Sequence, residues 1–198
     1  SGQRFNLKQS YLNKNKNHVP RIVCVAHIRP RKGQKDLVEA LNKIKGIPYE
    51  AIMIGSIKDQ VYGNEVRSLI YKYGLENRIK FVGFLEGEKL SDAYDDADIF
   101  VLPSYHEPYG IVVQEAMSFG LPVVASNVDG ISEQVRDGVE GFLVQPGNAD
   151  ALADALLKLF ADPGLRMRMG EHGRNRAAEL PTWDEVFERF YQALKVVK

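Results

Sequence analysis

The chain of 198 residues is long enough for one domain with a buried core, and its 44% hydrophobic and 26% charged residues are typical of a globular protein. Lysine and arginine together number 26, as do aspartate and glutamate, so the net charge of zero argues against binding to nucleic acid. The single cysteine, Cys24, cannot form an internal disulfide, and no apolar run approaches the ~18 residues of a membrane span. These features predict a cytoplasmic protein.

Residues 1–20 are polar and lack periodicity, which predicts a linker before a single domain over residues 21–198. Six short apolar runs then predict six strands, at 22–25, 51–54, 79–82, 99–102, 122–125 and 141–144. Apolar residues at helical spacing predict helices within 37–44, 61–70, 90–97, 111–119, 149–161 and 163–178, and a last amphipathic helix from Trp183 to Leu194.

The predicted strands lack alternation of apolar and polar residues, and helical segments separate them. This pattern predicts an α/β fold in which a parallel sheet of about six strands is covered by helices on both faces. In such sheets, ligands bind at the carboxyl ends of the strands. The candidate site therefore lies among the loops that follow five of the strands, at 27–33, 55–60, 83–88, 103–110 and 126–130.

The loop at 103–110, here called the Glu107 loop, leads into a predicted helix that contains Glu115. Between the two glutamates lies a helix start whose unpaired amide groups suit a diphosphate, and Gly110 would let the backbone approach the phosphates closely. Carboxylates accept hydrogen bonds from hydroxyl groups, so this order matches sugar, diphosphate and ribose in a nucleotide sugar. The alternative is that Glu107 is a charge favoured by the helix dipole and that Glu115 is a solvated surface residue.

Two further loops could complete such a site. The loop at 27–33, here called the basic loop, either neutralises a departing diphosphate or is simply solvated. Its potentially cationic side chains are His27, Arg29, Arg31 and Lys32. After the third predicted strand, Gly83 and Phe84 offer an apolar surface for a nucleobase, unless Phe84 is a core residue.

In this order and spacing, the motifs resemble the donor-binding domain of the retaining glycosyltransferases with the GT-B fold (family 4 and relatives). The resemblance covers residues 21–194, and its most specific element is the E-x7-E pattern from Glu107 to Glu115. Supporting motifs lie at 81–85, 97–104, 116–126, 133–138 and 141–144. The resemblance implies a Rossmann-like, doubly wound sheet that forms the C-terminal half of a GT-B enzyme.

The resemblance also implies roles for individual residues. Glu107 is implied to contact the transferred sugar near the reacting centre, Glu115 the ribose hydroxyls, and Lys32 the diphosphate. His27 stands where the family has an arginine, so Arg29 or a protonated His27 is implied to bind phosphate instead. The remaining donor contacts are implied to come from Gly83 and Phe84 for the base, and from the backbone of Tyr109, Gly110 and Ile111 for the phosphates.

The activity implied is transfer of a hexosyl unit, with retention, from a nucleoside-diphosphate sugar to a saccharide or lipid-linked acceptor in polysaccharide or glycolipid biosynthesis. No metal or cofactor is expected. The acceptor is implied to bind a missing N-terminal domain, so this chain alone should bind donor weakly and turn over nothing. The complete enzyme is implied to be cytoplasmic, with peripheral association at the inner face of the membrane. Within the predicted last helix, Trp183, Phe187 and Phe190 either contact that missing domain or pack on the core.

Other functions stay open on the sequence alone. A nucleotide-sugar epimerase could use the same fold, and so could a module that binds a nucleotide or a sugar without catalysis. A phosphorylase would need a cofactor-binding lysine motif that the sequence lacks. A flavodoxin-like regulatory domain would need a cluster of phospho-accepting aspartates, whereas the Glu107 loop carries none.

Overall fold

A computed structural model describes residues 19–181 and 191–192 of the chain. The six strands are β1 (Arg21–Val25), β2 (Glu50–Ile54), β3 (Ile79–Gly83), β4 (Ile99–Leu102), β5 (Val123–Ser126) and β6 (Gly141–Val144). The α-helices are α1 (Gln34–Lys43), α2 (Gln60–Tyr73), α3 (Gly87–Asp95), α4 (Ile111–Ser118), α5 (Asp129–Gln134), α6 (Ala149–Ala161) and α7 (Pro163–Glu179), and a 3-10 turn spans Pro30–Lys32. The predicted linker, apart from residues 19–20, and the Trp183, Phe187 and Phe190 side chains lie outside the described residues.

The strands form one parallel sheet in the order β3-β2-β1-β4-β5-β6. This is the order of a doubly wound, Rossmann-like fold, and it confirms the predicted fold class. Because β2 lies on one side of β1 and β4 on the other, the order reverses between β1 and β4. The loops after these two strands, the basic loop and the Glu107 loop, therefore flank the crevice where such folds bind ligands.

Two apolar layers cover the two faces of the sheet. In β1, Ile22 and Cys24 face one layer, whereas Val23 and Val25 face the other, which explains why the strand is apolar throughout. The first layer includes residues of α1, α2 and α6, and the second includes residues of α3 and α4. Cys24 is a buried core residue, and burial raises the pKa of its thiol to about 12. Within the residues that the structure describes, no helix is long and apolar enough to cross a membrane.

The six predicted strands agree with the structure to within one residue, but α5 is an addition to the predicted elements. This helix has only six residues, and Ile131 is its one large apolar side chain that is buried. Such a short segment cannot show helical periodicity in the sequence. It nevertheless packs against the Glu107 loop and therefore matters for the site.

Candidate functional site

The basic loop and the Glu107 loop are in direct contact at the crevice. The Tyr105 N–H donates a hydrogen bond to the Arg31 carbonyl, with an N···O distance of 2.8 Å. Gly33 has a φ of 64°, and a Cβ at this position would lie 2.0 Å from the carbonyl oxygen of Pro103. Glycine is therefore required both for the left-handed turn and for the close approach of the two loops.

Lys32 and Glu107 form an ion pair across the crevice, in which Lys32 Nζ donates to Glu107 Oε2. Their side chains are only 10% and 12% exposed, so Lys32 is not the solvated residue of the alternative interpretation of the basic loop. Burying two charges carries a desolvation cost that their attraction largely offsets, so such a pair contributes little net stability. Its position at the crevice instead indicates a functional site.

The start of α4 lies next to this ion pair in the chain and has no side-chain cap within the described residues. Gly110 occupies the N-cap position with a φ of 60°. The first amide groups of a helix have no partner inside the helix and carry partial positive charge, which favours an anion. Tyr109 and Ile111, on either side of Gly110, are 65% and 44% exposed and so border the opening.

Glu115 is half-buried in α4 and accepts a hydrogen bond from Tyr94 Oη at 3.0 Å. Tyr94 lies in α3 and is only 1% exposed. Burial and, next, the negative charge of Glu115 raise the pKa of the Tyr94 hydroxyl far above its usual value, so the hydroxyl stays protonated and donates. Glu115 is therefore an oriented carboxylate and not a freely solvated one.

Helix α5 packs against the Glu107 loop and stabilises it through hydrogen bonds. The Gly130 N–H donates to the Glu107 carbonyl at 3.1 Å, and the Gln134 side-chain amide donates to the Tyr109 carbonyl. His106 Nδ1 lies 2.6 Å from Asp129 Oδ2. No prediction included these α5 residues, although the loop at 126–130 stood among the candidates because it follows β5. That topological position was the signal available for finding them.

Gly83 and Phe84 lie at the carboxyl end of β3, two strands away from the crevice. The Gly55 N–H donates to the Gly83 carbonyl at 2.7 Å, which ties the ends of β2 and β3 together. Phe84 is 60% exposed, so the alternative of a core phenylalanine is wrong. An exposed ring at the ligand-binding edge of the sheet is available for stacking.

His27 and Arg29 lie in the basic loop with Lys32. His27 is exposed, and its pKa is lowered, first by partial desolvation and then by the cations Lys58 and Arg29 among others. Its imidazole is therefore neutral at pH 7 in the free chain. This argues against the interpretation that a protonated His27 binds phosphate in place of an arginine. Arg29 is half-buried and forms no ion pair with the described part of the chain.

A family model described as glycosyl transferases group 1 matches residues 5–176. The chain belongs to this family. This match confirms the predicted glycosyltransferase family, and the strand order confirms the predicted Rossmann-like fold.

Three known proteins show what this group 1 glycosyltransferase chain is similar to. The amylovoran biosynthesis glycosyltransferase AmsK of Erwinia amylovora is 36% identical over 169 residues, which cover 79% of this chain and 39% of AmsK. The structure of Anabaena HepE in complex with UDP-glucose has a TM-score of 0.82 at 27% identity, over 98% of this chain and 52% of HepE. The C-terminal domain of a group 1 glycosyl transferase (LpcC) from Francisella tularensis has a TM-score of 0.74 at 25% identity, over 90% of this chain and 93% of that domain.

The chain spans about half the length, or less, of HepE and AmsK, and nearly the whole of the LpcC domain. In this group 1 glycosyltransferase domain, the structure brings Lys32, Glu107 and the start of α4 together at the crevice. Arg29 and His27 share the loop of Lys32, while Gly83 and Phe84 stand at the end of β3. Among residues 19–181 and 191–192, no three His, Cys, Asp or Glu side chains lie close enough to hold a metal ion.

Proposed function

We propose that this chain is the donor-binding domain of a retaining glycosyltransferase that transfers a hexosyl unit from a nucleoside-diphosphate sugar to a saccharide or lipid-linked acceptor. The observation that carries this proposal is the ion pair of Lys32 and Glu107 beside the uncapped start of α4, at the point where the strand order reverses. A buried cation, a set of helix-start amides and a carboxylate are the groups that a diphosphate and an adjoining sugar would use.

In the proposed complex, the diphosphate takes the place of Glu107 at Lys32 Nζ and also accepts hydrogen bonds from the Gly110 and Ile111 amides. The released Glu107 carboxylate then lies beside the sugar. Glu115 accepts hydrogen bonds from the ribose, and the base stacks near Gly83 and Phe84. Lys32 and the amides stabilise the charge that develops on the leaving group, which lowers the barrier of the chemical step.

The proposed reaction is a substitution at the anomeric carbon on the face from which the leaving group departs. The acceptor oxygen forms a bond to this carbon while the bond between the carbon and the phosphate oxygen breaks. The electron pair leaves with the nucleoside diphosphate, and the acceptor proton passes to the departing phosphate oxygen. Because Lys32 and the helix-start amides meet the developing charge, we propose no metal or cofactor for this site.

The comparisons support a nucleotide sugar as the donor, since HepE was solved with UDP-glucose, and the name of AmsK supports a role in polysaccharide biosynthesis. We propose that the acceptor, and any peripheral contact with the inner face of the membrane, involve the other half of the complete, cytoplasmic enzyme. This chain alone would then bind donor without transferring the sugar.

The stereochemistry of the product tests this proposal. The complete enzyme is expected to form a glycosidic bond with the same anomeric configuration as the donor, which the proton coupling constants of the product report by NMR. A product of inverted configuration would contradict the proposed mechanism. Release of an epimerised nucleotide sugar without any acceptor would favour the alternative of an epimerase.

Comparison of His27 and Arg29 tests which of them binds the diphosphate. At pH 8, His27→Asn is expected to change the affinity of the chain for UDP by less than about threefold, because the pKa of the imidazole is lowered and the ring is neutral. Arg29→Gln is expected to weaken UDP binding by about tenfold, the effect of one charge-assisted hydrogen bond. Calorimetric titration measures both, and the reverse order of effects would assign the phosphate contact to His27.

A further inference from the structure

Tyr94 is held rigidly in the apolar layer that packs α3 and α4 on the sheet. Its side chain is 1% exposed, and its ring stacks on Phe119 with 5.1 Å between centroids. A second aromatic ring, that of Phe100 in β4, lies 6.3 Å away. A tyrosine enclosed in this way has no room to change its rotamer, so the position of its hydroxyl is fixed by the core.

The Tyr94 hydroxyl donates a hydrogen bond to Glu115 Oε2. A buried hydroxyl usually finds a partner, but a neutral carbonyl would serve for that purpose. A carboxylate as partner is more demanding, because its charge must be kept partly out of water. Since the hydroxyl stays protonated, it donates throughout the physiological pH range and fixes the orientation of the Glu115 carboxylate.

We infer that Tyr94 is a positioning residue for ribose recognition, which holds one oxygen of Glu115 so that the carboxylate is already oriented when the ribose hydroxyls arrive. This inference rests on the proposed function, in which Glu115 binds the ribose. A carboxylate that is fixed before binding loses little conformational entropy when the hydroxyls bind, whereas a mobile one must be ordered by the ligand. Tyr94 therefore sets how strongly the site prefers ribonucleotides over deoxyribonucleotides.

Binding of UDP, GDP and ADP, each compared with its 2′,3′-dideoxy analogue, measures this preference by calorimetry on the 198-residue chain. The wild-type chain is expected to bind one of the three ribonucleotides at least about tenfold more tightly than its dideoxy analogue, the effect of a hydrogen bond to a charged group. Tyr94→Phe is expected to reduce this ratio by about three- to tenfold. The affinity for the dideoxy analogues should stay unchanged, because they offer Glu115 no hydroxyl, and a merely structural role of Tyr94 would not produce this result.

Tyr49 provides a matched control on the opposite face of the sheet. It is also buried, at 2% exposure, and its hydroxyl donates to the Leu41 carbonyl at 2.9 Å. Tyr49→Phe removes an equally buried hydroxyl and should lower the free energy of unfolding by a similar amount. The preference for ribose should nevertheless remain at the wild-type value.

The possible results separate this inference from the proposal on which it rests. If the wild-type chain prefers the ribonucleotide and Tyr94→Phe keeps the full ratio, the positioning role is overturned while donor binding stands. The positioning role is also overturned if Tyr49→Phe lowers the ratio as much as Tyr94→Phe does. If the wild-type chain binds none of UDP, GDP and ADP, the proposed function fails and the role of Tyr94 fails with it.

Discussion

Replacing Glu107 by glutamine is expected to lower the rate of sugar transfer by the complete enzyme by about 100-fold or more, while UDP still binds. Glutamine has nearly the same shape as glutamate but lacks the negative charge, which is proposed to lie beside the sugar as positive charge develops at the anomeric carbon. Loss of one such preorganised electrostatic contact typically costs about two to three orders of magnitude in rate. A transfer assay with radiolabelled donor measures the rate, and calorimetry measures the affinity for UDP.

Lys32→Met is the matched control, because it removes the other member of the same ion pair. It is expected to weaken UDP binding by about 10- to 100-fold, the effect of a charged hydrogen bond to phosphate. Glu107→Gln should not weaken UDP binding, because the carboxylate it removes competes with the diphosphate for Lys32. Near-normal transfer by Glu107→Gln would contradict a catalytic role and favour a module that only binds its ligand.

Gly33→Ala is expected to destabilise the chain strongly and to disrupt the site at the same time. The left-handed conformation at Gly33 costs any residue with a Cβ about 1–2 kcal/mol. The added Cβ would also lie 2.0 Å from the Pro103 carbonyl oxygen, so the two site loops must move apart, at a further cost of about 1–3 kcal/mol. Urea unfolding measures this loss, and the affinity for UDP should fall because Lys32 moves away from the start of α4, with which it is proposed to bind the diphosphate.

Gly74→Ala separates the two contributions to this effect. Gly74 ends α2 with a φ of 68°, close to the 64° of Gly33, but a Cβ there would meet no atom within 4 Å. Gly74→Ala should therefore lower the free energy of unfolding by only the ~1–2 kcal/mol of the backbone conformation, and it should leave UDP binding unchanged. Equal losses of stability in the two variants would show that the contact between the site loops contributes nothing.

The part of this site that could be predicted from the sequence is the part that topology determines. Apolar runs separated by helical segments predict a parallel sheet, and the carboxyl ends of its strands then select the basic loop and the Glu107 loop. The strand order places these loops side by side, although the sequence alone could not show that Lys32 and Glu107 would form a buried ion pair. Because these two residues are 75 positions apart in the sequence, no local pattern links them.

The contacts that escaped prediction are those between side chains of separate elements. Tyr94 lies in the helix predicted within 90–97, and only its burial in the apolar layer shared with α4 directs its hydroxyl to Glu115. Likewise, Gln134 stabilises the Tyr109 carbonyl from a helix too short to be recognised by periodicity. Phe84 could be either a core or a surface residue, because burial depends on what covers the end of β3, a property of the folded chain.

Calorimetric titration of the 198-residue chain with UDP-, GDP-, ADP- and CMP-sugars tests the central claim most directly. If Lys32, the start of α4, Glu107 and Glu115 form a donor site, at least one of these nucleotide sugars binds saturably with one ligand per chain. The expected Kd lies between about 1 μM and 1 mM, since the chain is proposed to supply only one wall of the complete site. Absence of binding by all four, with no thermal stabilisation of the chain, would contradict the proposal that this crevice binds a nucleotide sugar.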